Sequence, residues 1–464
     1  GIYDLRWEWV QELKDLKCFE AIKVDTKSNI ADILTKCLAA PVVREMLKLV
    51  QKEARGVAVG TKVAADSSSS DRSFLNVGPD LNRFGPIGLV VMQSTSLCNL
   101  DCSYCYLPDR QKKRVFDLNL LPLLMQRILE SPYAGPEFSL VWHAGEPLTL
   151  PTSWYDKATA ILYRSLDQFN AQGLDFTQHV QTNATLINDA WCDCFRRNRI
   201  VVGISVDGPE DIHDAHRRLR NGRGSHAMAM KGIEALHRND VPFHCISVVT
   251  ADAMEQPERM YRFFRDNGIT DVGFNVEEQE GINTSSSMQG SAMEEKYRNF
   301  LRAFWRLSEQ DGYPVVLREF EQVISLIQGN ARMTQNELNR PFSILSVDWE
   351  GNFSTFDPEL LSVASDRYGS FNLGNLKDLS LVESTHTEQF RRLMADMSSG
   401  VETCHKGCEY FGLCGGGNGS NKFWEHGTLA SSETNACRFG TQIPVQVLLE
   451  RFEEGPPLIP HKPN

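Results

Sequence analysis

The sequence lacks two features that would identify whole classes of protein. It lacks an excess of positive charge, since 60 acidic residues outweigh 48 basic ones and give a net charge of −12. A nucleic-acid-binding surface needs clustered Lys and Arg, so none is expected. It also lacks an apolar run near the roughly 18 residues of a membrane span and an N-terminal signal-peptide pattern. We therefore expect a soluble, cytoplasmic protein that binds neither nucleic acid nor membrane.

Cysteine is present but unevenly distributed. The chain has 12 cysteines, and residues 246–403 contain none of them. In a cytoplasmic protein this number indicates metal or redox chemistry more than disulfides. Two groups stand out: Cys98, Cys102 and Cys105 in "SLCNLDCSYCYLPD", and Cys404, Cys408, Cys414 and Cys437 near the C-terminus. Most of the others are interpreted as buried small hydrophobic residues: Cys18, Cys37, Cys192, Cys194 and Cys245.

Three regions of different pattern follow one another along the chain. Residues 1–80 combine apolar residues at helical spacing with the stretch "VAADSSSSDRS", which predicts a helical segment and linker that acts as a packing cap or a peptide-docking module. Residues 81–310 alternate six apolar, β-branched runs with helical stretches. This alternation predicts an α/β fold with a parallel sheet and outer helices. Residues 311–464 hold the second cysteine group.

Polar and glycine-rich signals follow the predicted strands, where the chemistry of parallel sheets is usually found. Cys98 follows the first strand and Gly145-Glu146-Pro147 the second, and Gln181-Thr182-Asn183 ends the third. Ser205 and Asp207 end the fourth strand. The sequence therefore predicts one functional face at the carboxyl ends of the strands.

The first cysteine group is one thiolate short of a closed four-thiolate site. A structural zinc ion completed by a distant His or Cys is compatible with this spacing. A [4Fe–4S] cluster with one iron free of protein ligands is the alternative, because soft thiolates suit both metals. The position of the loop after the first strand of a βα array favours the cluster, whose open iron can bind a small chelating ligand.

This C-x₃-C-x₂-C loop, with Tyr104 before its last cysteine, resembles the hallmark of the radical S-adenosylmethionine (SAM) superfamily. The resemblance implies a partial (β/α)₆ TIM-like barrel. In that family SAM chelates the unique iron and is cleaved to a 5′-deoxyadenosyl radical that abstracts substrate hydrogen. The residues that match the SAM-binding motifs are Ala144, Gly145 and Glu146 in "AGEP", Gln181 and Asn183 in "QTN", Ser205 in "ISVDGP", and Arg217. Ala144 departs from the family's GGE pattern.

By this resemblance Ser205 is a ribose contact and Arg217 holds the SAM carboxylate, for which a guanidinium fork is well suited. Taken singly, residue type favours a helix or turn cap for Ser205 and a surface salt bridge for Arg217. The combined order of the motifs favours SAM binding.

The second cysteine group resembles the SPASM extension of radical SAM peptide maturases, which holds auxiliary [4Fe–4S] clusters. Zinc is again an alternative. Asn418 and Phe356 stand where that family often has cysteines. The resemblance therefore implies one auxiliary cluster with four protein ligands, and two [4Fe–4S] clusters in all. Full ligation favours electron transfer or a structural role for it.

Asp357 occupies the position of an aspartate proposed as general base in sulfatase-maturase-like enzymes. A base is chemically reasonable, since oxidation of a substrate radical releases a proton as well as an electron. Asp357 is equally well suited to cap the turn before Pro358. Both interpretations stay open on the sequence.

The stretches "FGPIGLVVMQSTSLCNLDCSYCYLPDR", "NGITDVGFNVEEQEG" and "CEYFGLCGGGNGSNK" are similar to those of the glycine-rich-repeat-associated (GrrM-type) cyclophane-forming maturases. This implies an enzyme that joins an aromatic ring carbon to a β-carbon in a ribosomally synthesised precursor peptide, with flavodoxin or ferredoxin as electron donor. Two alternatives remain: an anaerobic sulfatase maturase that forms formylglycine, usually with two auxiliary clusters, and a non-enzymatic, zinc-stabilised binding protein.

Overall fold

The structure, a computed structural model, describes residues 84–328 and 331–453. Of these, residues 84–328 and 331–444 belong to one compact unit. The helical segment predicted for residues 1–80 lies outside the described residues, and so do Cys18 and Cys37. The predicted domain boundaries after residues 80 and 310 stay predictions.

Six parallel strands in chain order form the centre of a ten-stranded sheet. They are β1 (Ile87–Gln93), β2 (Ala134–His143), β3 (Asp175–Thr182), β4 (Ile200–Ser205), β5 (Phe243–Val249) and β6 (Asp271–Val276). In β1, the consecutive residues Val90, Val91 and Met92 are all buried, as expected for a strand covered on both faces. The predicted α/β fold with a parallel sheet is confirmed.

The sheet continues beyond these strands on both sides, so the βα array is open. The additional strands are β7 (Val316–Leu317), β8 (Ile344–Val347), β9 (Asn352–Thr355) and β12 (Gly374–Asn375), while β10 (Ala364–Ser365) and β11 (Gly369–Ser370) form a separate pair. β6 pairs with β7 and β1 pairs with β8, both in parallel. β9 then runs antiparallel to β8, and β12 antiparallel to β9. The region after residue 310 thus extends the same sheet.

Helices connect the strands and form most of the C-terminal part. They are α1 (Leu121–Leu129), α2 (Thr152–Gln168), α3 (Asp189–Asn198), α4 (Glu210–His216), α5 (His226–Arg238), α6 (Ala251–Met254), α7 (Pro257–Asp266), α8 (Ser291–Gln310), α9 (Arg318–Gln328), α10 (Leu381–Ser384), α11 (Glu388–Gly407), α12 (Phe411–Cys414), α13 (Gly419–His426), α14 (Asn435–Cys437) and α15 (Ile443–Glu453). In α1, Leu121, Leu124, Met125 and Ile128 form a buried stripe, which is the spacing of an amphipathic helix. None of the described helices combines the length and the apolar character that crossing a membrane requires.

Candidate functional site

The first cysteine group lies on the loop after β1, and backbone hydrogen bonds and arginines hold this loop in place. The Cys98 amide donates to the Arg110 carbonyl at 2.8 Å. Arg110 reaches back to the carbonyl of Leu107 at 3.0 Å and to Asp101 at 2.9 Å. Arg220 donates to the Cys98 carbonyl at 2.9 Å. The cysteine side chains are half-buried at the carboxyl end of the sheet.

The electrostatics of these thiols suit ligands that a metal deprotonates. Burial, with Glu146 as the next cause, raises the pKa of Cys98 to about 12. Burial also raises the pKa of Cys102 to about 12, although Arg217 opposes it. The three thiols interact electrostatically with one another. Such thiols become thiolates only when a bound metal supplies the compensating charge.

Zinc and an iron–sulfur cluster place different demands on the cysteine side chains. Within residues 84–328 and 331–453, no three or more His, Cys, Asp or Glu side chains are placed to hold a single metal ion. A zinc site with Zn–S bonds of about 2.3 Å gathers its thiolates around one point. An iron–sulfur cluster places its cysteines on different irons and spreads them more widely. The iron and sulfide content of the protein distinguishes the two metals.

The "AGEP" segment joins the loop after β1 to the ends of β2 and β3. Ala144 and Gly145 have φ values of 64° and 69°, and a Cβ on Gly145 would lie 2.4 Å from the Thr95 carbonyl oxygen. Only glycine fits there. This close approach packs the motif's backbone directly against the cysteine loop.

Glu146 fixes this junction through its buried carboxylate, which is 1% exposed. It accepts hydrogen bonds from the Leu148 amide at 2.9 Å, the Thr182 hydroxyl at 2.7 Å and the Asn183 amide at 2.8 Å. Its own amide donates to the Leu97 carbonyl at 2.8 Å. Burial nevertheless raises the pKa of Glu146. Because protein donors occupy the carboxylate, any contact of this motif with SAM falls to its backbone.

The residues at the ends of β3 and β4 lie beside the same loop. Gln181 donates to the Ser205 hydroxyl at 2.8 Å. The Asn183 side chain donates to Asn99 at 2.8 Å and lies 4.0 Å from the Cys98 sulfur. The structure thus brings Gln181 and Ser205, which were predicted as separate site residues, into contact and places Asn183 against the cysteine group.

Arg217 is buried rather than part of a surface salt bridge. Its Nε lies 3.0 Å from Asp207 Oδ1, with side-chain exposures of 9% and 1%. The guanidinium carbon lies 5.5 Å from the centre of the Tyr104 ring, and the Tyr104 hydroxyl donates to Asp207. The Val248 amide also donates to Asp207, at 3.0 Å. Tyr104 and Arg217 are therefore organised by Asp207, whose role the sequence analysis missed although it stands in the "SVDGP" motif.

The second cysteine group is assembled by the C-terminal helices. Cys404 lies near the end of α11, Cys408 directly follows that helix, and Cys414 and Cys437 end α12 and α14. The Cys408 amide donates to the Cys404 carbonyl at 2.8 Å. Cys414 and Cys437 interact electrostatically, and burial raises the pKa of Cys437 to about 11. The structure therefore brings all four predicted residues together.

Side chains of the loop before β8 hold the glycine turn after Cys414 in place through hydrogen bonds. Gly415, the C-cap of α12, has a φ of 65°. Asn336 donates to the Cys414 carbonyl at 2.6 Å, and Asn339 donates to the Gly415 carbonyl at 2.9 Å. Sequence analysis missed both asparagines, because "NELN" carries no local signal of a contact with a turn so far along the chain.

Asp357 is 3% exposed and shows both features that the sequence left open. It caps the short 3₁₀ helix Pro358–Leu360 by accepting from the Glu359 amide at 3.2 Å. Its other oxygen accepts a hydrogen bond from the Asn418 side chain. Burial raises the pKa of Asp357 to about 7. The cap and a proton-accepting role are thus compatible.

Asp357 belongs to a buried set of carboxylates with Glu278 and Glu280, here called the acidic set. Asn421 on α13 donates to Glu278 at 2.8 Å and to Glu280 at 3.0 Å. Burial raises the pKa of Glu278 to about 7, and burial with the neighbouring Glu278 raises that of Glu280 well above its ordinary value. Sequence analysis missed both glutamates, although "EEQE" directly after β6 was a visible signal.

The acidic set lies beside the first cysteine group. Tyr106, next to Cys105 in the chain, interacts electrostatically with Glu280 and Asp357. Its hydroxyl is buried and has no hydrogen-bond partner among the described residues. The remaining described cysteines lie apart from both groups and are at most 1% exposed: Cys192, Cys194 and Cys245.

Comparison with known proteins gives a consistent result. The model of the Radical SAM superfamily matches residues 92–264. An uncharacterized protein of Synechocystis is 48% identical over 375 residues, which cover 81% of this chain and 94% of that protein. A serine-type anaerobic sulfatase-maturating enzyme of Bacteroides thetaiotaomicron is 26% identical, covering 73% of this chain and 84% of the relative.

Two solved structures show the same fold. One is the anaerobic sulfatase maturase anSMEcpe with bound AdoMet, at a TM-score of 0.64 and 23% identity over 80% of this chain and 95% of that one. The other is Streptococcus suis SuiB bound to the precursor peptide SuiA, at a TM-score of 0.52 and 12% identity over 90% of this chain and 94% of that one. Residues 92–264, which include the cysteine loop after β1, therefore form a radical SAM domain, and the chain is a radical SAM enzyme.

Proposed function

We propose that the protein is a peptide maturase that joins an aromatic ring carbon to the β-carbon of a nearby residue in a ribosomally synthesised precursor peptide. The observation that carries this proposal is the neighbourhood of Asp357. Phe356 and Asn418, the two positions where the SPASM family often has further cysteines, hold no thiol, and Asn418 instead donates to the Asp357 carboxylate. One complete four-thiol group and a buried base therefore accompany the first cysteine group.

The residues fit the cofactors that this chemistry needs. Cys98, Cys102 and Cys105 would hold a [4Fe–4S] cluster, and Cys404, Cys408, Cys414 and Cys437 would hold a second one. When bound, the first cluster and SAM supply a 5′-deoxyadenosyl radical that takes a hydrogen atom, and the second cluster supplies a one-electron acceptor.

The SAM-binding face consists of residues that are already held in place. The Gly145 backbone lies against the cysteine loop, Gln181 fixes Ser205 at 2.8 Å, and Asp207 holds Arg217 at 3.0 Å. Arg217 is the one buried cation in this set, and it is suited to a carboxylate. We assign Gly145 to the amino group, Ser205 to the ribose and Arg217 to the carboxylate of SAM.

Formation of the crosslink removes two hydrogens from the peptide. The β-carbon loses a hydrogen atom to the deoxyadenosyl group, the carbon radical adds to the ring, and the ring then loses one electron and one proton to regain aromaticity. We assign the acceptance of that proton to Asp357, because its pKa of about 7 suits a base working near neutral pH. The external electron donor that starts each turnover would be a flavodoxin or a ferredoxin.

A second candidate is anaerobic sulfatase maturation. It is favoured by the sulfatase-maturating relatives, one of which, from Klebsiella aerogenes, is 31% identical over 48% of this chain. The same hydrogen abstraction would then act on a Cys or Ser side chain, and the product would be formylglycine. The absence of a thiol at Phe356 and Asn418 weighs against it, because that activity usually relies on two auxiliary clusters.

The two candidates are separated by the product. The reconstituted protein is incubated anaerobically with SAM, a reductant and a precursor peptide encoded beside its gene, or with a sulfatase peptide. A precursor that is lighter by two hydrogens, with no fragmentation between the joined residues, supports crosslinking. Formylglycine in the sulfatase peptide supports the second candidate. No 5′-deoxyadenosine from an iron-loaded protein contradicts both, and Cys98→Ala is the inactive control.

A further inference from the structure

Lys422 on α13 is a buried cation beside the second cysteine group. It is 1% exposed, although lysine is almost never fully buried without a partner. Among the described residues, its Nζ donates to the Gly416 carbonyl at 2.8 Å and to the Cys404 sulfur at 3.5 Å. No carboxylate of the described part of the chain forms an ion pair with it. Its nearest source of negative charge is therefore the sulfur of Cys404.

The surrounding fold is shaped to admit this ammonium group. Gly400 on α11 packs closely here: a Cβ at that position would lie 2.3 Å from the Leu429 carbonyl oxygen and 3.2 Å from Lys422 Nζ. The Gly416 carbonyl that Lys422 binds belongs to the same glycine turn that Asn339 holds in place. Lys422 also opposes the effect of burial, which raises the pKa of Cys404. The lysine is thus directed at one specific sulfur and stabilises its anionic form.

We propose that Lys422 is a positioning residue that raises the reduction potential of the iron–sulfur cluster held by the second cysteine group. This inference rests on the proposed function, in which that cluster accepts one electron from the ring radical. Acceptance of an electron adds one negative charge to the cluster, and no bond forms or breaks. A positive charge and an N–H donor at Cys404 stabilise the reduced form, because hydrogen bonds to the sulfurs and net charge set cluster potentials. Burial strengthens the effect, since little water screens it.

The test isolates the second cluster. Cys98, Cys102 and Cys105 are replaced by Ala in the full chain, so that only the second group can bind a cluster, and iron and sulfide are measured. The midpoint potential is then determined by redox titration followed by electron paramagnetic resonance. Against this parent protein, Lys422→Met is expected to retain about four irons and to have a lower potential, whereas Lys422→Arg keeps the potential near that of the parent.

A matched control removes a lysine that lies even nearer to Cys404 in the sequence but is exposed. Lys406 is two positions from Cys404, but its side chain is 73% exposed and pairs with Glu402 at 3.0 Å. Lys406→Met is expected to leave the potential unchanged, because water screens that charge. An equal decrease in Lys406→Met and Lys422→Met would overturn the proposal, since the effect would then reflect overall charge alone.

The outcomes remain distinct from those that test the proposed function. An unchanged potential in an iron-loaded Lys422→Met protein overturns the role of Lys422 and leaves the cluster intact. If Lys422→Met loses its iron, the midpoint potential of Lys422→Gln is measured instead, because glutamine retains an N–H donor without the charge. An unchanged potential in that variant likewise overturns the role of Lys422. Loss of iron in both, with retention in Lys422→Arg, assigns Lys422 a purely structural role. Absence of iron from the parent protein contradicts the auxiliary cluster itself.

Discussion

Replacement of Glu146 by Gln tests whether this residue holds the SAM-binding face together. Its Oε1 accepts from the Leu148 amide and the Thr182 hydroxyl, and its Oε2 accepts from the Asn183 amide at 2.8 Å. A glutamine that keeps its oxygen at Oε1 preserves two of these bonds and directs an NH₂ group at the Asn183 N–H. At least one charge-assisted hydrogen bond is lost, and a buried donor is left unpaired.

The magnitude follows from these contacts. The loss of one hydrogen bond to a carboxylate and the unpaired donor together cost about 2–4 kcal/mol. A neutral amide is cheaper to bury than the carboxylate, whose pKa is raised by burial, so the expected loss lies near 2 kcal/mol. For a protein of this size, this corresponds to a decrease in Tm of about 2 °C.

The assay compares Glu146→Gln with Glu137→Gln, an exposed position on β2, the strand that precedes Glu146. Thermal unfolding is followed anaerobically by circular dichroism, and SAM binding is measured by equilibrium dialysis. Glu146→Gln is expected to unfold at the lower temperature and to bind SAM more weakly, because the "AGEP" backbone loses its fixed position. Equal Tm values and equal SAM binding for the two variants would refute this account of Glu146.

Three further changes follow from the same structure. Asp357→Asn is expected to release 5′-deoxyadenosine at a near-normal rate but to form crosslinked peptide roughly 100-fold more slowly; in the unsubstituted protein, product formation should rise with pH through about 7, where the carboxyl loses its proton. Equal product yield from the variant would exclude the base role. Gly145→Ala should abolish SAM binding, because the new Cβ meets the Thr95 carbonyl oxygen at 2.4 Å, whereas Ala144→Gly should retain it; dialysis with labelled SAM distinguishes the two. Burial raises the pKa of Glu280, so the folded state retains a proton that the unfolded state releases, and the associated stability is present at low pH and is lost as pH rises. Glu280→Gln should therefore make Tm depend less steeply on pH, and an unchanged slope would contradict this explanation.

The fold class was predictable because its signals are local. A strand buried on both faces, such as β1, requires a continuous apolar run, and residues 81–310 repeat that signal with helical stretches between the runs. The first cysteine group was predictable for the same reason, since its three residues share one loop. The sequence also suggested that Cys437 groups with the other C-terminal cysteines. That grouping requires α14, which ends at Cys437, to lie close to α11 and α12.

By itself, the sequence indicated most of the candidate site residues and the order in which they follow the strands. Only the tertiary structure decided their partners: Asp207 for Arg217, Lys422 for Cys404, and the two glutamates of the acidic set for Asp357. These partners lie far apart along the chain, so no periodicity or spacing records them. The effects of these partners also depend on burial. Removal of water raises the pKa of a carboxyl such as Asp357, and it leaves the interaction between Lys422 and the Cys404 sulfur largely unscreened.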